Sequence, residues 1–226
     1  MKAILCFSGG MDSTTLAAHY HAAGYKLGLL SFDYGQRHGS SELKAARTIA
    51  EHFGASHHII DLSAVGDLMP GSALTDPGVE VPDGHYEEAS MKATVVPNRN
   101  AIMANIAIGV ASAGKADVIA LGVHAGDHAV YPDCRPEFVR ALRQCMHHAL
   151  KGFHTPRLET PFIGLTKAEI AAEAHRHAAP LQLSWSCYKG GDLHCGTCGT
   201  CVERREAFAL SGLVDPTEYA VDGGGS

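Results

Sequence analysis

Short apolar segments alternate with segments of helical composition along most of the chain, and this alternation constrains the fold more than any other feature. The apolar segments predict strands at residues 3–7, 27–32, 57–60 and 118–122. The intervening segments predict helices at residues 14–23, 42–53, 100–113, 137–150 and 166–175. Strands that alternate with helices of this length form a parallel sheet covered on both faces. We therefore predict an α/β fold with a doubly wound, Rossmann-type parallel sheet.

Bulk composition is that of a soluble globular protein in a reducing compartment. The 226 residues fit one domain with at most a small appendage, and 46% apolar and 19% charged residues are ordinary proportions. The first apolar run is short and ends in glycines, which indicates a buried strand rather than a signal peptide. We expect a cytoplasmic protein without membrane contact. The formal net charge of −6 argues against a large nucleic-acid surface.

A glycine-containing loop joins the first predicted strand to the first predicted helix. This position places free backbone N–H groups and the positive end of a helix beneath an anion. The candidate phosphate ligands of the loop are Ser8, Gly9, Gly10, Met11, Asp12, Ser13 and Thr14. Asp12 suits magnesium binding or loop bracing better than direct phosphate contact. The alternative is a glycine turn with a serine or aspartate helix cap.

The loop has no lysine of the G-x-x-x-x-G-K-[ST] type that reaches toward the β- and γ-phosphates. Lys167, at the start of the helix predicted at 166–175, is a candidate phosphate contact from another part of the chain. Its alternative is a solvated lysine in the first turn of a helix. The catalytic candidates are Ser8, Asp12, Ser13 and Lys167.

Four cysteines lie close together near the end of the chain: Cys187, Cys195, Cys198 and Cys201. Four thiolates at such short spacings converge on one tetrahedral ion, and Zn²⁺ suits four sulfur ligands with no open position. An iron–sulfur cluster, a redox C-x-x-C pair and buried free cysteines are the alternatives. We predict one structural zinc ion.

Polar segments follow two of the predicted strands, at the edge where open parallel sheets bind ligands. After the strand at 118–122, carboxylate and aromatic side chains suit a flat heterocycle rich in hydrogen-bond donors, although Asp133 is equally suited to cap the next helix. After the strand at 27–32, cationic and aromatic groups are placed to meet a nucleotide. The substrate-binding candidates are Tyr34, Gln36, Asp127, Tyr131, Asp133 and Arg135, and Arg37 is a candidate ATP ligand.

The phosphate loop resembles that of the PP-loop ATP pyrophosphatases, which have an adenine nucleotide α-hydrolase-like fold. This resemblance implies cleavage between the α- and β-phosphates of ATP, with Mg²⁺ as an expected cofactor. The activated product is then an acyl or imidoyl adenylate, and AMP and pyrophosphate are released. The class includes synthetases of GMP, NAD and argininosuccinate as well as tRNA-modifying enzymes, so the loop alone does not identify a substrate.

Six segments together resemble the 7-cyano-7-deazaguanine synthase family, from Lys2 to roughly Tyr219. In chain order they read SGGMDST, SFDYGQRH, VPNRN, GVHAGDHAVYPDCR, TPFIGLTKAEI and the cysteine cluster. The resemblance implies conversion of 7-carboxy-7-deazaguanine, ammonia and ATP to the nitrile, a step toward queuosine. It also implies a structural zinc ion, a homodimer, and Arg99 of VPNRN as an ATP ligand. Residues 74–94 match no segment of the family.

Ammonia itself is the expected nitrogen donor, because the clustered thiolates are metal-bound and 226 residues leave no room for an added glutaminase domain. The nearest alternatives are an amide-forming paralogue and a tRNA thiolase or lysidine-type ligase with the same loop. A nucleic-acid-binding zinc module with a degenerate ATP site is an alternative from another class. We expect no direct nucleic-acid substrate.

Three regions are predicted along the chain. Residues 1–180 form the ATP-binding α/β domain, residues 181–220 the small helical region with the four cysteines, and residues 221–226 a flexible tail. Residues 70–93 interrupt the alternation with many turn signals. A loop of this length inside a domain is usually functional or mobile.

Overall fold

Five parallel strands form a sheet in the order β3-β2-β1-β4-β5 in the computed structural model, which describes residues 1–86 and 88–220. The strands are β1 (Lys2–Cys6), β2 (Lys26–Asp33), β3 (Ser56–Asp61), β4 (Val118–Ala120) and β5 (Arg157–Glu159). The four predicted strands are confirmed. Strand β5 was not predicted, because only Leu158 of its three residues is buried and it carries no apolar run.

Helices cover both faces of the sheet. They are α1 (Met11–Ala22), α2 (Gly39–His52), α3 (Ser63–Gly66), α4 (Glu88–Met91), α5 (Arg99–Ala113), α6 (Pro136–Ala149), α7 (Lys167–Arg176) and α8 (Gly199–Ser211). Side chains of β1 alternate between two apolar cores: Leu5 packs with residues of α1, α2, α7 and α8, and Ile4 with residues of α5 and α6. The predicted doubly wound α/β fold is confirmed.

The chain order of the strands creates a crevice at one edge of the sheet. From β1 the chain continues outward through β2 and β3, and it then crosses to β4 and β5 on the other side of β1. The connections diverge between β1 and β4, and ligands of open parallel sheets bind at this switch point, beyond the carboxyl ends of the strands. The loop after β1 and the segment after β4 therefore face the same crevice.

Residues 181–220 pack directly on the phosphate loop and on α7. The backbone N–H of Trp185 donates to the carbonyl of Gly9 at 2.9 Å. Arg204 of α8 is fully buried and donates to Asp215 at 3.1 Å and to the hydroxyl of Ser184 at 2.8 Å. These bonds satisfy a buried charge that would otherwise destabilise the fold. They fix α8 beside the crevice.

The irregular segment predicted at residues 70–93 is largely turns, with α4 near its end and a 3₁₀ turn at Lys92–Thr94. Ala73 and Val81 of this segment are buried against the four cysteines. Within residues 1–86 and 88–220, no helix has the length and apolar character needed to cross a membrane. The tail predicted at residues 221–226 lies outside the described residues.

Candidate active site

Hydrogen bonds to its own serine hydroxyl groups fix the conformation of the phosphate loop. The hydroxyl of Ser13 accepts from the backbone N–H of Gly9 at 3.1 Å and donates to the carbonyl of Gly10 at 3.1 Å. The hydroxyl of Ser8 accepts from the N–H of Gly10 at 3.2 Å. Helix α1 begins at Met11, three residues before the predicted start, so its positive end lies directly at the loop.

Gly9 has a conformation and a neighbour that exclude other residues. Its φ is +83°, and an added Cβ would lie 2.7 Å from the backbone nitrogen of Ala46 in α2. Both observations require glycine.

Asp12, Lys167 and Glu203 form a partly buried charge cluster beside the loop. The ammonium of Lys167 lies 2.8 Å from a carboxylate oxygen of Asp12 and 3.2 Å from one of Glu203. His124 Nε2 lies 3.3 Å from the same ammonium. Although burial opposes the charge on Lys167, the carboxylates of Asp12 and Glu203 outweigh it and raise the pKa of the ammonium. Lys167 is therefore a fixed cation beside the phosphate loop.

The two carboxyl groups of this cluster have opposite pKa shifts. Burial opposes ionisation of Asp12, but the charges of Lys167 and His124 outweigh it and hold the pKa of Asp12 below its usual value. Burial raises the pKa of Glu203, and the opposing effect of Lys167 does not cancel it. Carboxyl groups with such divergent environments suit different tasks, one as a permanent anion and one as a proton acceptor.

Glu203 was not among the sequence candidates. It lies in α8, two residues after Cys201, and no recognisable motif marks it. The signal available in the sequence was the short distance of Glu203 from the cysteines. A metal cluster at the start of a helix fixes that helix, and so fixes the direction of the side chains in its first turns. Glu203 and Thr200 of this helix both line the crevice.

Aromatic side chains line the opposite part of the crevice. The guanidinium of Arg99 lies 5.6 Å from the ring centre of Tyr34 and 5.8 Å from that of Tyr131, within the range of cation–π contacts. Arg99 also donates to the Tyr34 hydroxyl at 3.0 Å. Burial raises the pKa of Tyr34 to about 12, so its phenol stays neutral. Tyr86 and Tyr188 line the same part of the crevice. Flat rings around one arginine suit a planar heterocycle.

The loop, the charge cluster and the aromatic side chains enclose one cavity of about 250 Å³. It has a polar end at the phosphate loop and an aromatic end at Tyr34 and Tyr131. The predicted site residues that line it are Ser8, Gly10, Met11, Asp12, Ser13, Tyr34, Arg99, Asp127, Tyr131 and Lys167. Sequence positions far apart are thus brought together at the predicted edge of the sheet.

The remaining sequence candidates lie outside the lining of this cavity. Gln36 binds the backbone of Tyr34 and Phe32 at 2.9 and 3.0 Å, so it braces the turn after β2. Arg37 donates to the carbonyls of Asp76 and Val79 at 2.7 and 2.9 Å. Gly9 belongs to the loop but faces α2, and among the described residues the buried hydroxyl of Thr14 has no hydrogen-bond partner.

Asp133 and Arg135 likewise make internal contacts. A carboxylate oxygen of Asp133 accepts from the backbone N–H of Asn100 at 2.8 Å, in the first turn of α5. Arg135 donates to the carbonyl of His128 at 2.7 Å. Asp133 does cap a helix, but the helix is α5, which precedes it in the chain, and not the one that follows. This placement does not support the predicted substrate contact of Asp133.

The four clustered cysteines have the geometry of a closed metal site. Their four sulfur atoms lie within 4.8 Å of one another, and those of Cys195 and Cys201 are 3.9 Å apart. A tetrahedral zinc ion with Zn–S bonds of about 2.3 Å separates its sulfur ligands by about 3.8 Å. Backbone N–H groups of Thr197 and Cys198 point at the sulfur of Cys195 at 3.4 and 3.3 Å, as they do around bound thiolates. The cluster therefore fits one tetrahedral ion.

Two further cysteines, Cys6 and Cys134, line the cavity. Burial raises the pKa of the Cys6 thiol to about 12 and raises that of Cys134 as well. A protonated thiol is a poor nucleophile. Among the residues that the structure describes, neither cavity cysteine is thus prepared for covalent catalysis.

Comparison with known proteins identifies relatives along nearly the whole chain. The model of the family described as "Queuosine biosynthesis protein QueC" matches residues 2–212. A 7-cyano-7-deazaguanine synthase of Rhizobium etli (strain CIAT 652) is 56% identical over 219 residues, which cover 97% of this chain and 92% of that protein. The protein of the same name from Brucella ovis is 56% identical over 220 residues, covering 97% and 94%.

A solved structure shares the fold at low identity. It is a complex of a 4-thiouridine synthetase with RNA and bound ATP, with a TM-score of 0.50 and 18% identity, covering 92% of this chain and 53% of that one. At this identity the likeness concerns the arrangement of strands and helices alone.

Proposed function

The chain belongs to the QueC family of queuosine biosynthesis proteins, and from this membership we propose that it converts 7-carboxy-7-deazaguanine and ammonia to 7-cyano-7-deazaguanine at the expense of ATP. It is an ATP-dependent ligase with a PP-loop fold. The observation that carries the proposal is a cavity that has the phosphate loop at one end and aromatic side chains at the other. The charge cluster of Asp12, Lys167 and Glu203 lies beside the loop.

The reaction needs activation because a carboxylate is a poor electrophile. Attack of a carboxylate oxygen on the α-phosphorus of ATP forms an acyl adenylate and releases pyrophosphate. Ammonia then displaces AMP and gives the amide. A second adenylation, on the amide oxygen, allows loss of that oxygen with AMP and leaves the nitrile. One phosphate site serves both rounds.

The phosphate loop and Lys167 are placed to stabilise the charge that leaves with pyrophosphate. The N–H groups at the start of α1 and the ammonium of Lys167 lie on one side of the cavity. Because both are fixed before ATP arrives, they stabilise developing charge without reorganisation. The predicted catalytic roles of Ser8, Asp12, Ser13 and Lys167 are retained in this proposal, with the two serines also bracing the loop.

Mg²⁺ fits the carboxylate oxygen of Asp12 that does not contact Lys167. Asp12 Oδ1 is buried and has no hydrogen-bond partner among the residues that the structure describes, whereas Oδ2 contacts Lys167 at 2.8 Å. An unpaired, ionised carboxylate oxygen is a preferred ligand of Mg²⁺. We assign Asp12 as the protein ligand of a Mg²⁺ ion, which when bound neutralises phosphate charge.

Glu203 is the proposed proton acceptor for the nitrogen nucleophile. Its raised pKa matches a group that takes up a proton during the attack of ammonia and releases it afterwards. Since the cavity thiols of Cys6 and Cys134 are protonated, we propose free ammonia rather than glutamine as the nitrogen source.

The cysteine cluster is proposed to hold a structural zinc ion. Four thiolates fill a tetrahedral shell and leave no position for an activated water molecule. Its contribution is to fix the start of α8, because Cys198 immediately precedes that helix and Cys201 lies in its first turn. We further propose a homodimer, as the family resemblance implies, and a location in the cytoplasm. Light scattering of the purified chain tests the dimer.

Product analysis tests the reaction. The purified protein is incubated with ATP, ammonium ions and 7-carboxy-7-deazaguanine, and the products are followed by mass spectrometry and phosphorus NMR. We expect the nitrile, AMP and pyrophosphate. ADP and orthophosphate as primary products would refute the adenylation, and accumulation of the amide without nitrile would identify an amide-forming enzyme. A glutamine-supplied reaction serves as the control for the nitrogen source and should give no product.

A further inference from the structure

Three side chains at the far ends of α1 and α7 converge outside the active site. His19 lies in the last turn of α1, while Glu173 lies in the last turn of α7 and His177 immediately follows that helix. One ligand atom of each residue lies within 4.8 Å of the other two. The side chains of Glu173 and His177 are 17% and 18% exposed, so the cluster is open to solvent on one side.

The separations match the edges of a tetrahedral metal site. His19 Nδ1 lies 3.4 Å from His177 Nε2, which in turn lies 3.3 Å from Glu173 Oε2. A tetrahedral ion with ligands at about 2.0–2.1 Å separates them by about 3.3–3.4 Å. Most hydrogen bonds between such groups are shorter, at about 2.7–3.2 Å. A single ring nitrogen that faces two partners at these distances is placed as a metal ligand would be.

The electrostatic surroundings favour a cation at this point. The negative ends of α1 and α7 both lie at the cluster, and this polarity stabilises positive charge. Arg176 is the nearest opposing charge, but it contacts the other oxygen of Glu173 at 2.9 Å and is 69% exposed. Glu173 Oε2 is therefore left to face His177.

We propose that His19, Glu173 and His177 form a second metal site, which binds one divalent transition-metal ion, with Zn²⁺ as the best match. Two imidazoles and one carboxylate are a zinc donor set that leaves a fourth position to solvent. The site is distinct from the cysteine cluster in its residues and in its exchangeable fourth ligand. A bound ion links the ends of two helices whose first turns carry Asp12 and Lys167, and so stabilises their parallel packing.

Metal stoichiometry tests the site in the full chain with its cysteine cluster loaded. The protein is dialysed against Zn²⁺, and bound zinc is measured by elemental analysis for the unchanged protein, His19→Ala, His177→Ala and His175→Ala. His175 is exposed on the same helix and is the matched control, which is needed because the chain has 15 histidines. We expect one more ion per chain in the unchanged protein and the control than in the other two. Equal stoichiometry in all four proteins would overturn the proposal.

Two further measurements distinguish loss of the proposed site from loss of folding and from metal exchange at the cysteine cluster. Glu173→Gln keeps the size of the side chain, and we expect its affinity for the added zinc to fall at least ~10-fold at an unchanged melting temperature without added metal. Co²⁺ added to protein that carries zinc in its cysteine cluster alone should give the visible absorption of a tetrahedral ion without sulfur-to-metal charge-transfer bands. The appearance of those bands would place the ion in the cysteine cluster, and an unchanged affinity of Glu173→Gln would remove the carboxylate from the site; either result refutes the proposal.

Discussion

The ammonium of Lys167 lies 2.8 Å from a carboxylate oxygen of Asp12, although 155 positions separate the two residues in the sequence. Each residue lies in the first turn of its own helix, α7 and α1. Both helices therefore direct their positive ends and one charged side chain toward the same crevice. This arrangement supplies, from a distant helix, the cation that the phosphate loop itself lacks.

Replacement of Lys167 tests its role in ATP activation. Lys167→Met removes the fixed cation and leaves the carboxylates of Asp12 and Glu203 unpaired, so we expect kcat/KM for pyrophosphate release to fall at least ~100-fold, equivalent to about 2.7 kcal/mol. Lys151→Met, at an exposed position just beyond α6, is the control and should retain activity. A Lys167 variant with full activity would contradict the assignment.

The pH dependence of activity reports the protonation of Glu203. Because burial raises the pKa of this carboxyl, it takes up a proton on acidification earlier than an ordinary glutamate. We expect kcat/KM to fall as pH decreases through this raised pKa, since only the charged form accepts a proton. Glu203→Gln should have low activity without this acidic limb, whereas Glu206→Gln, exposed on the same helix, should keep it. An acidic limb that persists in Glu203→Gln would assign it to another group.

Loss of one cysteine ligand should affect both the fold and the distant cavity. Cys198→Ser is expected to lose the metal ion and to lower the free energy of unfolding by more than about 2 kcal/mol. Activity should fall with it, because α8 positions Glu203. Elemental analysis and thermal denaturation measure the first two effects, with Cys145→Ser, an exposed cysteine, as the control. Iron in place of zinc would refute the metal assignment, and an active metal-free variant would refute the structural role.

Asp127 and Asp133 should respond differently to the same substitution. Asp127 lines the cavity, and we propose that its carboxylate accepts hydrogen bonds from donors on the edge of the substrate ring. Asp127→Asn replaces this carboxylate by a neutral amide and is therefore expected to raise the KM for the deazaguanine at least ~10-fold. Asp133 accepts from the start of α5, so Asp133→Asn should lower stability by at most ~1 kcal/mol and leave KM unchanged. Steady-state kinetics and thermal melts of both variants separate the roles. The opposite result would return Asp133 to the substrate site.

Local sequence patterns predicted those parts of the site that are formed by one continuous segment of the chain. The phosphate loop and the four cysteines each have a spacing that implies their geometry, and the structure bears out both arrangements. The alternation of strands and helices likewise predicted the sheet, except for β5, in which Leu158 alone is buried and no apolar run marks the strand.

The direction of individual side chains in turns, and the docking of one helix on another, could not be predicted from the sequence. Tyr34 and Gln36 are two residues apart in one turn, yet the tyrosine lines the cavity and the glutamine binds the backbone beneath it. The direction of each side chain depends on the turn, which no periodic pattern describes. Glu203 was missed for a related reason, since its place in the cavity depends on how α8 docks against α7.

The site around the phosphate loop is completed by residues near the end of the chain: the backbone N–H of Trp185 donates to the carbonyl of Gly9, and Glu203 lines the same cavity. This dependence has a consequence for synthesis of the protein on the ribosome. The phosphate loop emerges early, but the residues that complete it are translated about 190 residues later, a delay of roughly 10–40 s at about 5–20 residues per second. Throughout that interval the nascent chain has the phosphate loop but lacks Glu203, so on the proposed mechanism it cannot complete the transfer of nitrogen. If the four cysteines bind a metal ion as proposed, its capture completes the maturation of the protein, and we expect full-length but inactive chain to accumulate when that metal is withheld.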